Sequence, residues 1–408
     1  MKRIFALFLV FIIFNNCVSF ADESFDENLE LTDEEIAEVT NMSGSNIIRA
    51  KAALAYDITY NKILYSKNMD EKLPNASTTK ILTAIVAYEN SNMNDVVLVS
   101  QNAARVGGST INLKSGDEVI LGDLMKGLLI CSGNDAAVAI AEHVGGSVEH
   151  FCSMMNNKAA ELGAKNTHFV TPHGLDNDEH YTTASDLAIL SSYLLKIPYL
   201  ASIVDIRSTT IKINDQPKDI RTTNEILGIY SNAHGVKTGF TGKAGRCLIT
   251  EVSSGDRDII TVVLGCDTKK QRTLESIWLI NYSFREFEEV DIYEKADSKF
   301  KISVDKSTST ENEVEFLLKK VELIPNGSKE NIRYLYDIKK NLVAPVKKDE
   351  IIGKIYVYID DNLIDMEEIK IPYEIKRKSV FDYVKELLKD QTTYFAIVNW
   401  NIAKILIF

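Results

Sequence analysis

The stretch PNASTTKILTA, residues 74–84, places a serine three residues before a lysine at the start of an apolar run. Ile81, Leu82, Ile85 and Val86 recur at helical spacing, so Ser77 and Lys80 fall one turn apart on one helix face. A serine at a helix N-terminus has its hydroxyl and backbone N–H near the positive end of the dipole, which favours a developing oxyanion. A lysine aimed at an apolar interior can lose its proton by desolvation beside another cation. The neutral amine can then take the serine proton. An N-capping serine beside a solvated lysine has the same spelling, so the surroundings decide. Two further Ser-x-x-Lys matches, Ser298/Lys301 and Ser303/Lys306, lie in stretches that read as linker or strand, where the spacing holds nothing together.

Working outward, AALAYDITYNKILYS reads as two strands around a turn at Tyr60-Asn61-Lys62. Residues 121–146 read as two short apolar helices broken at Ser132-Gly133-Asn134, a polar triplet poorly suited to a core unless it has a task. Residues 181–195 form another helix, entered through the capping-type cluster Thr183 to Asp186. Lys237-Thr238-Gly239 directly precedes a late hairpin, RCLITEV–SSGDR–DIITVVLG, and a helix is predicted over 274–289. There a lysine supplies charge, a threonine hydroxyl can bind a carboxylate, and glycine lets a substrate backbone approach the strand. Helices between an early strand pair and a late hairpin suggest one mixed sheet with helices on its faces. Beyond about Lys299, alternation at Phe300/Ile302/Val304, Tyr334/Tyr336/Ile338 and Ile355/Val357/Ile359 predicts a small all-β domain.

The termini differ from this middle. MKRIFALFLVFIIFNNCVSFA, residues 1–21, has the charged, apolar, small-x-small order of a secretory signal peptide, with cleavage expected after Ala21 and function outside the cytoplasm. Residues 22–48 carry nine acidic side chains and no Lys or Arg, and read as a solvated spacer rather than a packed element. Val380, Phe381, Val384, Leu387, Leu388 and Phe395 form a helical stripe with Lys378, Lys385 and Lys389 off it. That pattern suits an amphipathic helix in a membrane interface, or a helix docked on the protein's own body.

At 408 residues and 45% hydrophobic content, the chain can form two domains with a substantial core. Its net charge of −12, without a basic stripe, argues against a nucleic-acid binder. Neither the six histidines nor the cysteines show metal-ligand spacing, so no metal and no cofactor are expected. The compartment permits a disulfide among Cys131, Cys152, Cys247 and Cys266, and the sequence leaves their state open. His173, in TPHGLD, has no triad context and reads with Gly174 and Asp176 as a loop that shapes the site.

Ser-x-x-Lys, Ser-x-Asn and Lys-Thr-Gly in that chain order form the motif set of penicillin-binding proteins and serine β-lactamases. With LLICSGNDAAVAIAEHVGGS, FVTPHGLDNDEHYTTASDLAIL, TTNEIL and GVKTGFTGKAGRCLI, the chain resembles the D-alanyl-D-alanine carboxypeptidases among low-molecular-weight penicillin-binding proteins. The resemblance is close over about residues 46–290 and looser beyond. It implies an α/β (mixed) β-lactamase-like fold, a mainly antiparallel sheet flanked by helices, followed by a small C-terminal all-β domain and an amphipathic tail helix. The implied segments are 1–21, 22–45, 46–298, 299–374 and 375–408. The implied substrate is a peptidoglycan stem peptide ending in D-Ala-D-Ala, with β-lactam antibiotics as inhibitors.

Carried over residue by residue, Ser77 is the nucleophile, Lys80 its base and Ser132 a proton shuttle to the leaving amine. Asn134 binds substrate or orients Lys80; Lys237, Thr238 and Gly239 hold the terminal carboxylate; and Arg272 resembles the family's carboxylate-directing arginine. The backbone N–H groups of Ser77 and Phe240 would form the oxyanion hole. Whether Lys80 acts alone or shares the proton with Ser132 and Lys237 stays open. A β-lactamase would need a water-positioning Glu-x-x-x-Asn between Ser132 and Lys237, and none is evident. A D,D-endopeptidase of the same superfamily and a non-catalytic peptidoglycan- or β-lactam-binding protein are the alternatives.

Overall fold

The computed structural model describes residues 29, 31–42, 47–230, 232–309, 312–339 and 341–389. The expected signal segment, the start of the acidic stretch and tail residues 390–408 lie outside the described residues. The chain divides into two compact units, Met1–Arg285 and Glu286–Phe408.

The first unit is built on five strands. They are β1 (Ala52–Asp57), β2 (Lys62–Lys67), β3 (Lys237–Thr241), β4 (Gly245–Ser254) and β5 (Arg257–Cys266). Their order is β2-β1-β5-β4-β3, and every pairing is antiparallel. The sheet is thus more uniform than the mixed sheet suggested by element order. β1 joins β5 with Ala53 opposite Val263, which closes the early hairpin onto the late one. β5 is buried without a break from Ile259 to Cys266. Helices α6 (Ala184–Leu195) and α7 (Lys269–Arg285) both pack against it, so its sequence is a continuous apolar run rather than an alternating one.

The remaining helices of interest surround α2 (Lys80–Asn90), in which every residue from Lys80 to Ala87 is buried. A helix buried all round needs neighbours on each side. α3 (Leu121–Leu129), α4 (Asn134–Gly145) and α5 (Val148–Leu162) supply them. Cutting a side chain such as Leu82 to alanine here costs about 2–5 kcal/mol. α3 and α4 flank the predicted break at Ser132-Gly133-Asn134, and Thr183 caps α6 through Asp186 N–H as expected. The sequence reading did not place α5, whose apolar stripe reduces to Phe151, Cys152, Met155 and Ala159.

Two expectations are corrected. The acidic stretch is not all spacer, because Asp33–Asn41 forms a helix, α1, with a Thr32/Glu35 capping box. α1 docks on α7: Trp278 Nε1 donates to Met42 O at 3.1 Å, Arg285 Nη1 donates to Thr40 O at 2.9 Å, and Lys270 pairs with Glu35. The clustered carboxylates in its first turn suit the positive end of the helix dipole, which is why a charge run here is also a helix start. The second unit begins near Glu286 rather than 299, because Phe287–Asp291 already pairs with Val321–Pro325.

The second unit is otherwise the predicted β domain. Ile332–Ile338, Ile351–Ile359 and Asn362–Lys370 form a three-stranded antiparallel sheet over a core that includes Val314, Ile352, Ile355, Val357 and Ile371. Residues 380–389 are helical, and Phe381 is 86% exposed there. The cysteines Cys131, Cys152, Cys247 and Cys266 are free thiols.

Candidate active site

A single 3-10 turn, Ala76–Thr79, delivers Ser77 to the start of α2. Its shape is held by crossing bonds. Asn75 Nδ2 donates to the hydroxyls of Thr78 and Thr79 at 2.9 and 3.0 Å, and Thr79 Oγ1 donates to Ala76 O at 2.8 Å. His180 Nε2 lies 2.8 Å from Thr79 Oγ1, while its Nδ1 accepts Val170 N–H at 3.2 Å. That acceptor assigns the Nε2–H tautomer. Burial, and then the charge of His168, pushes the His180 imidazole down to about 4, so it stays neutral at physiological pH.

Lys80 is wholly buried, and its Nζ lies 2.6 Å from Ser77 Oγ. The same nitrogen donates to Asn134 Oδ1 at 2.7 Å, His173 O at 3.2 Å and Ser132 Oγ at 3.4 Å. From the sheet side, Lys237 Nζ donates to Ser132 Oγ at 2.9 Å and to Thr238 O at 3.0 Å. Ser77, Lys80, Ser132, Asn134 and Lys237 therefore form one connected group drawn from three separate stretches of chain. Ala76 and Ser132 both adopt left-handed backbone, at φ 48° and 64°, a conformation that is strained for residues with a Cβ and concentrates at functional sites. Asn134 Nδ2 also donates to Gly107 O at 2.7 Å, which fixes the amide with its oxygen toward Lys80.

β3 is the edge strand on this side of the sheet, and it passes directly by Ser77. A Cβ added to Gly239 would sit 3.1 Å from Ser77 N and 3.0 Å from Asn75 O, so any larger residue would force the strand away. Gly174 is tighter still, for a Cβ there would meet Ala76 O at 1.9 Å. Phe240 follows on β3, with the Arg246 guanidinium 3.6 Å from its ring centre. Loop 173–178 is tied to the far end of β3 through a hydrogen bond from Thr241 Oγ1 to Asp176. His173 contributes its carbonyl to Lys80, while its ring accepts Leu175 N–H at 3.1 Å. Burial, and then the charges of Lys80 and His180, pushes that imidazole down to about 3.

Arg272 departs from expectation. It is 1% exposed, and its Nη2 donates to both Glu225 carboxylate oxygens at 2.7 and 2.9 Å. Its Nη1 reaches Cys247 O, at 3.4 Å, on the residue paired with Gly239 one strand in from the edge. Burial pushes the Glu225 carboxyl up, but the Arg272 charge and bonds from Thr273 and Arg272 outweigh it and hold the group below its ordinary value. The guanidinium is thus occupied by the internal carboxylate of Glu225 in place of the expected substrate carboxylate. Arg272 braces the 222–225 segment against β4. The sequence reading assigned no role to that segment, nor to His180. Their partners lie far away in the chain, and only the string TTNEIL drew attention to the first.

The geometry is that of a serine hydroxyl with a buried amine at hydrogen-bond distance. A family model described as D-alanyl-D-alanine carboxypeptidase matches residues 38–268. The chain belongs to the D-alanyl-D-alanine carboxypeptidase family. A second model, the penicillin-binding protein 5 C-terminal domain, matches residues 287–377 and so covers the β domain of this carboxypeptidase. The D-alanyl-D-alanine carboxypeptidase DacF of Bacillus subtilis is 33% identical over 357 residues, spanning 85% of this chain and 90% of that protein. DacC of Escherichia coli, named likewise, is 34% identical over 83% of this chain and 87% of its own length. Among solved structures, the carboxypeptidase DacD of Francisella tularensis superposes with a TM-score of 0.66 at 26% identity, covering 83% of this chain and 98% of that one. The carboxypeptidase described here is accordingly a serine hydrolase with a mixed α/β catalytic unit and a β-rich C-terminal unit.

Proposed function

We propose that Ser77 carries an acyl-enzyme in the removal of terminal D-alanine from peptidoglycan stem peptides ending in D-Ala-D-Ala. The observation that carries this reading is the 2.6 Å contact between Ser77 Oγ and the buried Lys80 Nζ. In its neutral state, which desolvation favours, Lys80 accepts the Ser77 proton as Oγ attacks the penultimate carbonyl. The carbonyl oxygen takes up the negative charge against the backbone N–H groups of Ser77 and Phe240. As the tetrahedral intermediate collapses, the C–N bond breaks and the departing D-alanine amine receives a proton through Ser132, which both lysines contact. Water then adds to the ester, giving up its proton to the same base, and releases the shortened peptide from Ser77. Lys237 supplies positive charge for the substrate's terminal carboxylate, and Thr238 supplies a hydroxyl. A β-lactam would acylate Ser77 in the same way and leave slowly.

Covalent labelling by a fluorescent penicillin tests the nucleophile. Ser77→Ala should abolish the label with thermal unfolding unchanged, and a variant that still labels would refute the assignment.

We further propose that the enzyme works outside the cytoplasm against a membrane surface. The signal-type N-terminus supports the first part. The second rests on helix 380–389, where Val380, Phe381, Leu387 and Leu388 are each more than half exposed beside Lys385 and Lys389. Among the described residues no single helix is long and apolar enough to cross a membrane.

A further inference from the structure

A cavity of about 550 Å3 opens beside the catalytic group, between the short helix Gln101–Arg105, α4 and the start of α5. Three of its lining residues adjoin that group. His173 gives its carbonyl to Lys80 Nζ. Val106 precedes Gly107, whose carbonyl holds the Asn134 amide, and Val138 lies one turn beyond Asn134 on α4.

The wall carries charge of both signs. Leu175 N–H donates to His173 Nδ1, so the neutral ring keeps its proton on Nε2. Among the described residues that Nε2–H has no acceptor, and the exposed Arg105 guanidinium has no hydrogen-bond or ion-pair partner. α5 adds the positive end of its dipole, since Val148 lines the same cavity. Against these stand two carboxylates. Glu149 is exposed, and Glu142 engages one oxygen with Asn102 Nδ2 at 2.9 Å. A simple anion meets repulsion from Glu142 and Glu149, and a simple cation meets it from Arg105. A group that bears both charges a few bonds apart satisfies both halves of the wall.

The substrate has an arm to place there. With its terminal carboxylate at Lys237, a peptide lying along β3 sends its N-terminal arm toward the strand's other end. At that end Thr241 is bonded to Asp176, in the loop that begins at His173. We propose that this cavity receives an amino-acid zwitterion, an ammonium and a carboxylate on one carbon, at the end of the side chain of the residue that precedes D-Ala-D-Ala. Arg105 and His173 Nε2–H take the carboxylate, and Glu142 and Glu149 take the ammonium. This rests on the acyl-transfer reading above and adds to it a preference among stem peptides.

The test measures kcat/KM for D-alanine release by the full chain from two Nα-acetylated peptides, X-D-Ala-D-Ala, with X either diaminopimelate or lysine. The two differ only in the carboxylate at the end of the side chain. Wild type should favour the diaminopimelate peptide about tenfold, as a hydrogen-bonded charge pair allows. Arg105→Gln should bring the ratio to within about twofold of one, and Arg105→Glu should reverse it. Acetylating the side-chain amine of the diaminopimelate peptide should slow its cleavage by wild type severalfold, because Glu142 and Glu149 then face no cation. A merely structural Arg105 would slow both peptides alike and leave the ratio as it was. Equal cleavage of the two peptides by wild type, a preference that survives Arg105→Gln, or indifference to acetylation would overturn the proposal. Free diaminopimelate in the same assay separates a loose ligand from the substrate's arm: its binding alongside equal cleavage of the two peptides would also count against the arm. If wild type releases D-alanine from neither peptide, the turnover reading fails, and protection of Ser77 from fluorescent penicillin by the same peptides still judges the cavity.

Discussion

His180 joins chemistry to stability at the scale of single residues. Its ring supports the turn that presents Ser77, and it does so as a neutral imidazole. Its pKa is lowered from 6.5 to about 4, so the folded state resists a proton that the unfolded chain accepts. The stabilising difference is therefore complete above 6.5 and is lost as pH falls toward 4, by up to about 3 kcal/mol. His180→Asn should lose less stability than wild type between pH 7 and 4.5 in denaturant titrations; parallel losses would show that His180 is not the group responsible. The residues that matter most were legible in the sequence because each motif is contiguous: Ser77 with Lys80, Ser132 with Asn134, Lys237 with Thr238. Arg272 was misread for the opposite reason. Position alone marked it, and the carboxylate that occupies it, Glu225, is 47 residues away in the chain.

Elements show the same division between local and distant causes. β4 runs through the core, yet Glu251 lies in it, 6% exposed. Burial pushes its carboxyl up to about 7, against a bond from Ser253 and the charge of His234 that oppose the rise. A raised carboxyl gives stability that is complete below 4.5 and falls away as pH rises through 7. Glu251→Gln should thus stabilise the protein at pH 8 by about 1–3 kcal/mol and change little at pH 4, read as a shift in unfolding midpoint. Equal effects at both pH values would contradict this. Helix and hairpin positions along the catalytic unit were readable because α2, α3, α4, α6, β4 and β5 carry strong apolar patterns. α1 was not, since its own composition is that of a solvated run and its partners, Trp278 and Arg285, arrive from α7. The start of the second unit was misplaced because Phe287–Asp291 becomes a strand only by pairing with Val321–Pro325.

For the molecule as a whole, the proposal is a catalytic unit and a β unit carried by a tail that adheres to a membrane. The exposed apolar residues of helix 380–389 are the physical basis. Truncation after Arg377 should leave the protein in the supernatant when it is spun with anionic lipid vesicles, while penicillin labelling stays at the wild-type rate. Retention on the vesicles would move the anchor elsewhere. The two-unit plan was visible as a change from helical to period-two texture, whereas how the acidic stretch packs was not. The central claim, turnover at Ser77, is tested most directly by incubating the purified protein with a peptide ending in D-Ala-D-Ala and assaying free D-alanine. Release of many equivalents of D-alanine per enzyme, lost in Ser77→Ala, is the predicted result. Penicillin labelling without D-alanine release, or release that survives Ser77→Ala, would contradict it.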